Sequence, residues 1–297
     1  MHRACWRAVA APARGGTRRP APPPGGPGLV HLLNVRQIYP ASGPEVAAGP
    51  GGREAADLLA GLYAYPPCAG RERPWVRANM IASADGAADL DGRSGSLGGP
   101  ADRLLLQVLR VLADVILVGA GTARAERYRP ARPVPMLAAL RQGRPATPPI
   151  AVLSASLDLD PEAPLLAGAP GGARTIVLTT EAAPAERRKA VARHAEVIVA
   201  GPDRVTASHA IWALAGLGHT RILTEGGPSL LAQLAAAGLL DELCLTISPV
   251  LAGGQARRIL AGGPAGDLPQ GLPETLRLGH VLADGAYLFC RYLRHAG

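Results

Sequence analysis

Two adjacent glycines, Gly226 and Gly227, separate an apolar run from a helix-like run in the stretch "ILTEGGPSLL" (222–231). Because glycine has no side chain, the backbone can approach a ligand there, or turn tightly, in ways that other residues do not allow. A helix that begins just afterwards points its first unpaired N–H groups at the same place, and its dipole favours an anion. The stretch therefore indicates either a phosphate-binding turn or a plain tight turn.

A second glycine-containing junction, Gly119-Ala120-Gly121-Thr122, follows a short apolar strand and opens a helical segment. The third glycine of a dinucleotide-binding G-x-G-x-x-G pattern is missing because Arg124 stands in its place, so a standard Rossmann fingerprint fails. Both junctions follow strands of a predicted parallel sheet, and open sheets bind ligands at the carboxyl ends of such strands. We therefore expect the two junctions to contribute to a ligand site.

A carboxylate beside a glycine, Asp85-Gly86, follows the predicted strand that ends near Ser83. The pair is compatible with an ordinary Asp-Gly turn. It is also compatible with a carboxylate that orients or protonates a substrate. The residue types alone leave both interpretations open.

These residues need alternating strands and helices to position them. The apolar pattern predicts a first strand over 73–83 and a helix over 100–114, where Pro100 suits the first helical turn. It predicts further strands over 115–119, 149–154, 175–180, 196–201 and 221–225, and further helices over 183–194, 206–217 and 229–239. This alternation indicates an α/β fold with a mainly parallel sheet. The last predicted strands, 241–254 and 286–294, have no long helix between them and indicate an antiparallel edge.

The N-terminal part of the chain differs in composition from the rest. Residues 1–28 are rich in Pro, Gly, Ala and Arg, and residues 41–53 form a second loose stretch. Such compositions bury little apolar surface. We therefore expect residues 1–57 to form a disordered or loosely ordered extension, and residues 58–297 to form a single domain.

Most of the net charge of +8 lies in residues 1–40. Residues 1–40 contain six arginines and no acidic residue, so removing those six charges leaves +2 for the remainder. No basic face interleaved with aromatic residues is visible, and we expect no nucleic-acid partner. Binding of nucleic acid by the arginine-rich tail stays open as an alternative, and deletion of the tail tests it.

Hydropathy and cysteine spacing limit the location of the protein. No run of about eighteen apolar residues occurs, so no membrane span is expected. The four cysteines are far apart and form no C-x-x-C pair, so no zinc site or redox pair is expected. Cys244 and Cys290 lie in apolar runs, where buried reduced thiols are usual. We expect a reducing, cytoplasmic setting.

Four segments carry a resemblance to a known family: "RANMIASADGAADLDGRSG" (77–95), "DVILVGAGTARAE" (114–126), "ILTEGGPSLLAQL" (222–234) and "DELCLTISPVLAGG" (241–254). Together and in this order they resemble the riboflavin-biosynthesis pyrimidine reductases, over roughly residues 73–294. The match is closest to a stand-alone actinobacterial-type branch. The resemblance implies a dihydrofolate-reductase-like fold, with a mainly parallel central sheet, antiparallel C-terminal edge strands and helices on both faces.

The resemblance implies NADPH as the cofactor. In the family, the double-glycine turn holds the pyrophosphate, which makes cofactor residues of Gly226, Gly227, Pro228, Ser229 and Leu230. It also places Gly119, Gly121 and Thr122 along the cofactor. Ser154, with Ser156, matches the position where such folds hold the 2′-phosphate, although a simple strand-end loop explains these serines equally well. No metal is implied.

On the substrate side, the resemblance implies that Asn79, Ser83 and Asp85 face a phosphorylated pyrimidine. Asp85, or a water that it orients, would supply the proton. Glu225 would lie between cofactor and substrate as a second catalytic residue, or its side chain would cap the following helix. Arg103 would reach the substrate phosphate, or it is a solvated arginine.

The implied reaction is NADPH-dependent reduction of a phosphoribosylamino-pyrimidine to the ribitylamino product in riboflavin biosynthesis. Relatives often carry an acidic pair followed by proline, where this chain has Glu126-Arg127-Tyr128. A dihydrofolate reductase-like activity and a non-catalytic nucleotide-binding protein therefore stay open as alternatives. A single phenylalanine, Phe289, argues against a folate site, and folate-analogue binding tests it. The resemblance also implies a homodimer.

Overall fold

The computed structural model describes residues 35–40, 52–70, 72–141, 143–168, 173–261 and 274–295. In these residues ten strands form one sheet, in the order β1-β9-β10-β8-β2-β7-β3-β4-β5-β6. The strands are β1 (Arg36–Tyr39), β2 (Trp75–Ser83), β3 (Val115–Gly119), β4 (Ile150–Leu153), β5 (Ile176–Thr179), β6 (Glu196–Val199), β7 (Arg221–Thr224), β8 (Glu242–Ser248), β9 (Leu276–Asp284) and β10 (Tyr287–Arg294).

The sheet combines a parallel and an antiparallel part. From β8 through β2, β7, β3, β4 and β5 to β6, each neighbouring pair is parallel. The pairs β8–β10, β10–β9 and β9–β1 are antiparallel. The predicted mainly parallel sheet with antiparallel C-terminal strands is therefore confirmed.

Helices cover both faces of the sheet. They are α1 (Arg53–Leu62), α2 (Pro100–Leu112), α3 (Ala120–Ala125), α4 (Pro164–Ala167), α5 (Ala185–Ala192), α6 (Ala207–Gly216) and α7 (Pro228–Ala236), with a 3₁₀ helix over Pro135–Arg141. Because successive side chains of a strand point to opposite faces, β3 shows which helices share a face. Ile116 and Val118 pack with α1 and α2, whereas Val115 and Leu117 pack with α6 and α7.

The boundary predicted for the N-terminal extension is wrong in two places. Strand β1 pairs with β9, and α1 begins at Arg53, ahead of the predicted start at Leu58. Ala55 and Ala56 are buried and pack α1 against the core. This apolar packing outweighs the glycine-rich composition on which the predicted boundary was based. Residues 1–34 and 41–51 lie outside the described residues. Strand β9 was also not predicted.

A buried ion cluster connects the central strands on the α1 face. The Glu242 carboxylate accepts hydrogen bonds from the guanidinium groups of Arg77, at 2.8 and 3.0 Å, and of Arg291, at 2.8 and 3.1 Å. Burial alone would raise the pKa of Glu242, but the two arginines outweigh it and lower that pKa. Nearby, the rings of His280 and Tyr63 meet edge to face with centroids 4.8 Å apart. The cluster therefore joins β2, β8, β9 and β10 beneath α1.

The described residues contain neither a membrane-spanning helix nor a metal-binding cluster. Within those ranges, every helix is too short or too polar to cross a membrane. The same residues bring together no group of three or more His, Cys, Asp or Glu side chains arranged to hold a metal ion.

Candidate active site

The two glycine junctions of the sequence lie side by side. Strands β3 and β7 are parallel neighbours, and the Gly119 N–H donates a hydrogen bond of 3.0 Å to the carbonyl of Gly226. The peptide bond between Gly226 and Gly227 is cis, and Gly226 has φ of 84°. A Cβ on Gly227 would fall on Oγ1 of Thr122. The second glycine therefore lets the turn after β7 sit directly against α3.

A cavity of about 370 Å³ opens between these junctions, and we call it the glycine cleft. Its walls include seven of the nine predicted cofactor residues: Gly119, Gly121, Thr122, Gly227, Pro228, Ser229 and Leu230. Gly226 lies behind this wall, against Met80, which itself lines the cleft. Residues of the two predicted junctions therefore form one continuous surface along the glycine cleft.

The cleft has the features of an anion site. Helix α7 begins at Pro228, with Gly227 as its N-cap. The first N–H groups of a helix have no partner within it. A proline is well tolerated at the first position, because the N–H that it lacks would make no hydrogen bond within the helix. Ser229 and Leu230 thus present backbone N–H groups to the cleft, together with the positive end of the helix dipole, and both features favour a phosphate.

Glu225 forms the innermost charged group of the site. Its Oε1 and Oε2 accept hydrogen bonds of 2.7 Å each from Nε and Nη2 of Arg110, and Oε2 accepts a third from the Tyr128 hydroxyl at 2.5 Å. Burial alone would raise the pKa of Glu225, but Arg110 and then Tyr128 outweigh it and lower that pKa. The carboxylate is therefore ionised. It is paired with these two side chains, so the alternative in which it caps α7 is not what the structure contains.

A second cavity, of about 690 Å³, lies on the other side of Glu225, and we call it the arginine cavity. It shares Ser94, Glu126 and Glu225 with the glycine cleft. Its lining also includes Arg110 and Tyr128, together with three exposed arginines of one loop: Arg127, Arg129 and Arg132. The arrangement gives one cleft suited to a phosphate-bearing cofactor and one positively charged cavity, which meet at an ionised carboxylate.

Several of these residues were not among the predicted site residues. Glu126 accepts hydrogen bonds from Ser94, at 2.7 Å from the backbone N–H and 3.0 Å from the hydroxyl, and so ties the loop after β2 to α3. Arg110 lies on the predicted helix, but no local signal marks it as functional. One feature of the sequence could have marked Glu126 and Tyr128 as functional, because they stand where the family pattern has its acidic pair and proline.

The structure places Asp85 outside both cavities. Its carboxylate accepts hydrogen bonds from the Ser83 hydroxyl at 2.5 Å, the Ala252 N–H at 3.0 Å and the Gly253 N–H at 2.7 Å. These donors, the Ser83 hydroxyl above all, lower the pKa of Asp85 to about 2. At neutral pH the group is a carboxylate that fastens the loop after β2 to the loop after β8.

The structure does not bring the other four predicted side chains to the cavities described above. Asn79 neighbours Met80 on β2, so it points to the opposite face from the cleft. Ser83 and Ser154 are buried, and the Ser154 N–H is bonded to the Leu178 carbonyl. Arg103 is exposed and reaches only the Gly98 carbonyl, at 3.4 Å. Motif position alone did not show which face each side chain occupies.

Comparison with known proteins gives a consistent result. The family model described as RibD C-terminal domain matches residues 74–286. A protein of Methanothermobacter thermautotrophicus named 2,5-diamino-6-ribosylamino-4(3H)-pyrimidinone 5′-phosphate reductase is 31% identical over 192 residues, which cover 64% of this chain and 85% of that protein. The riboflavin biosynthesis protein RibD of Mycobacterium tuberculosis is 30% identical over 233 residues, covering 73% of this chain and 58% of the relative.

Solved structures extend the comparison to the fold. A pyrimidine reductase-like protein from Corynebacterium diphtheriae superposes with a TM-score of 0.70 at 30% identity, covering 80% of this chain and 99% of that one. The deaminase/reductase of Thermotoga maritima, at 18% identity and a TM-score of 0.57, shares the fold. The family model covers well over half of the sequence, and so this chain belongs to the RibD C-terminal domain family.

Proposed function

We propose that this chain is an NADPH-dependent oxidoreductase that reduces a phosphoribosylamino-pyrimidine to the ribitylamino product in riboflavin biosynthesis. The observation that carries the proposal is the meeting of the glycine cleft and the arginine cavity at Glu225. The names of the pyrimidinone phosphate reductases among its relatives support the same substrate class.

The glycine cleft is the proposed cofactor site. A Cβ at Gly226 would approach Met80 Sδ to 3.2 Å, and one at Gly227 would meet Thr122, so the two glycines let the turn pack closely between these side chains. The start of α7 thereby lines the cleft in which a pyrophosphate would bind. When bound, the nicotinamide supplies the hydride. The chain's own residues would hold the phosphates against the start of α7 and keep the reacting ring near Met80 and Glu225.

The arginine cavity is the proposed substrate site. Among the described residues, Arg127, Arg129 and Arg132 form no ion pair with a carboxylate, so their charge is available to a substrate phosphate. These residues take the role that the sequence assigned to Arg103. Glu225, held ionised, would stabilise the positive charge that develops at the ribosylamino C–N bond as the sugar ring opens.

Asp85 has a different place in this proposal from the one expected. With a pKa of about 2 it is almost fully ionised at neutral pH and is a poor proton donor. We propose that it holds the loop after β2 in position and that the proton comes through a water molecule. Ser83 would support the same loop from the end of β2.

The proposal includes a cytoplasmic homodimer. The buried free thiols of Cys244 and Cys290 suit a reducing compartment. Leu288, on the antiparallel C-terminal strand β10, is an exposed apolar residue that a second copy of the chain would cover. Light scattering on the purified protein tests the dimer, and a monomeric mass would contradict it.

The test is NADPH oxidation, followed by absorbance, with the diaminopyrimidinone and aminouracil forms of the ribosylamino 5′-phosphate as substrates. Glu225→Gln should lower kcat by at least about tenfold through loss of a charge interaction, whereas the exposed Glu181→Gln should match the wild type. Turnover of dihydrofolate in place of both pyrimidines would favour the folate alternative. Saturable NADPH binding without turnover of any of them would favour the non-catalytic alternative.

A further inference from the structure

A third cavity, of about 540 Å³, lies on the face of the sheet that α6 and α7 cover, and we call it the α6–α7 cavity. Its wall combines the loop after β4, the segment that leads from β6 into α6, and the second half of α7. The polar residues in this wall are Arg204, Thr206, Ser208 and Gln233, and none of the lining residues is acidic. It is therefore a positively charged cavity.

The α6–α7 cavity continues the line of the glycine cleft. Ser229 lines the cleft and Gln233 lines the cavity, and residues four apart lie on the same side of a helix, about 6 Å along its axis. At the carboxyl ends of β3 and β4, Gly119 of the cleft is paired with Leu153, which lies two residues before Ala155 of the cavity. A dinucleotide with its pyrophosphate at the start of α7 would therefore extend its adenosine half along α7 towards this cavity.

The serine expected to hold a 2′-phosphate is not exposed to this cavity. Ser154 is buried, and its N–H is committed to the Leu178 carbonyl. The next residue, Ala155, reaches the cavity wall, and its carbonyl accepts hydrogen bonds of 3.3 Å from the hydroxyls of Thr179 and Thr180. The backbone there is fixed, but it offers no cationic group to an anion.

Arg204 is the cationic residue that the cavity offers instead. The segment before it is pinned to the loop after β5, because the Glu181 and Ala182 N–H groups donate to the carbonyls of Gly201, at 2.9 Å, and Pro202, at 3.0 Å. Thr206 then caps α6 by accepting the His209 N–H at 3.1 Å. Arg204 is exposed and has no carboxylate partner among the described residues. Its backbone is held in place while its guanidinium remains free.

We infer that Arg204, assisted by the Ser208 hydroxyl, binds the 2′-phosphate of NADPH in the α6–α7 cavity and selects NADPH over NADH. The inference rests on the proposed function, which places a nicotinamide dinucleotide in the glycine cleft. A guanidinium presents several donors to phosphate oxygens at once, whereas NADH offers only a hydroxyl at that position. Arg204 thus acts on cofactor choice and leaves hydride transfer itself unchanged.

The experiment compares wild type, Arg204→Gln, Arg204→Lys and the control Arg193→Gln, which removes an exposed arginine at the end of α5. Dissociation constants are measured by calorimetry for NADPH, NADH, 2′,5′-ADP and 5′-AMP. Arg204→Gln should raise the Kd for NADPH and 2′,5′-ADP about 10- to 100-fold, the value of a charge-assisted hydrogen bond. Its Kd for NADH and 5′-AMP should change less than about twofold, and Arg204→Lys should recover part of the loss.

Two results would overturn the inference. One is wild-type protein that binds 2′,5′-ADP no more tightly than 5′-AMP, which needs no variant and does not depend on folding. The other is an unchanged NADPH Kd in Arg204→Gln. Either result leaves the proposed function intact if NADPH still binds and turns over. Failure of the wild type to bind any nicotinamide dinucleotide would instead contradict the proposed function as well.

Discussion

The Tyr128 hydroxyl donates a hydrogen bond of 2.5 Å to Oε2 of Glu225, the same oxygen that Nη2 of Arg110 contacts at 2.7 Å. Tyr128 follows α3 and Glu225 follows β7, so the bond connects the segments of the two glycine junctions on the side of the arginine cavity. Burial raises the pKa of Tyr128 well above its ordinary value, so the phenol keeps its proton and remains a donor. Tyr128 thereby fixes the position of a carboxylate that lines both cavities.

Tyr128→Phe should lower kcat by about 10-fold, and at most about 100-fold, since it removes one hydrogen bond to a charged group. The Kd for NADPH should stay within about twofold of wild type, because the glycine cleft is not lined by Tyr128. Steady-state kinetics and calorimetry check the two values, with Tyr39→Phe, an exposed tyrosine on β1, as the control. A loss of NADPH affinity equal to the loss in kcat would show that Tyr128 serves the fold and not the carboxylate.

Gly227→Ala should weaken NADPH binding by at least about tenfold and also destabilise the protein, because the added Cβ meets Oγ1 of Thr122. Thr122→Ala in the same chain removes that oxygen and should restore part of the stability. Gly216→Ala, at the end of α6 with no atom within 4 Å of the new Cβ, is the matched control. Thermal unfolding and calorimetry measure both effects. Wild-type NADPH affinity in Gly227→Ala would contradict the proposed placement of the cofactor phosphates at this turn.

Asp85→Asn should raise the substrate KM by several-fold, because an amide oxygen replaces only part of the carboxylate that holds Ala252 and Gly253. The pKa of Asp85 is about 2, so its protonation should leave no mark on the activity between pH 5 and 9. The pH profiles of kcat/KM for wild type and variant should therefore have the same shape. An acidic limb present in the wild type and absent from Asp85→Asn would establish Asp85 as the proton donor.

His280 should make stability depend on pH. Burial, followed by the charge of Arg291, lowers the pKa of His280 to about 4 from an ordinary 6.5. A base with a depressed folded pKa contributes stability that is present above pH 6.5 and lost as the pH falls towards 4. We expect at most about 3 kcal/mol of the free energy of unfolding to be lost over that window on this account.

Urea unfolding at several pH values between 7 and 4 measures that loss. His280→Gln should flatten the dependence relative to wild type, whereas the exposed His295→Gln should leave it unchanged. Identical slopes in wild type and His280→Gln would contradict the prediction.

Much of the architecture follows from local pattern. The apolar run 115–119 and the periodicity of 100–114 predicted β3 and α2 to within two residues, because strand and helix periods are properties of neighbouring side chains. The glycine junctions were located for a similar reason, since a missing side chain is visible in the sequence itself. Strand β1 was missed because its four residues carry little pattern and depend on pairing with β9.

The sequence determined most of the elements, the glycine turns and, through them, the family and the position of the glycine cleft. Tertiary structure alone decided the rest. Glu225 meets Arg110 across 115 residues and Tyr128 across 97, and only that packing makes the carboxylate ionised and shared between two cavities. Asp85 and Arg103 kept their motif positions but not the expected contacts, because the direction of a side chain and its charged neighbours are set by segments far away in the chain.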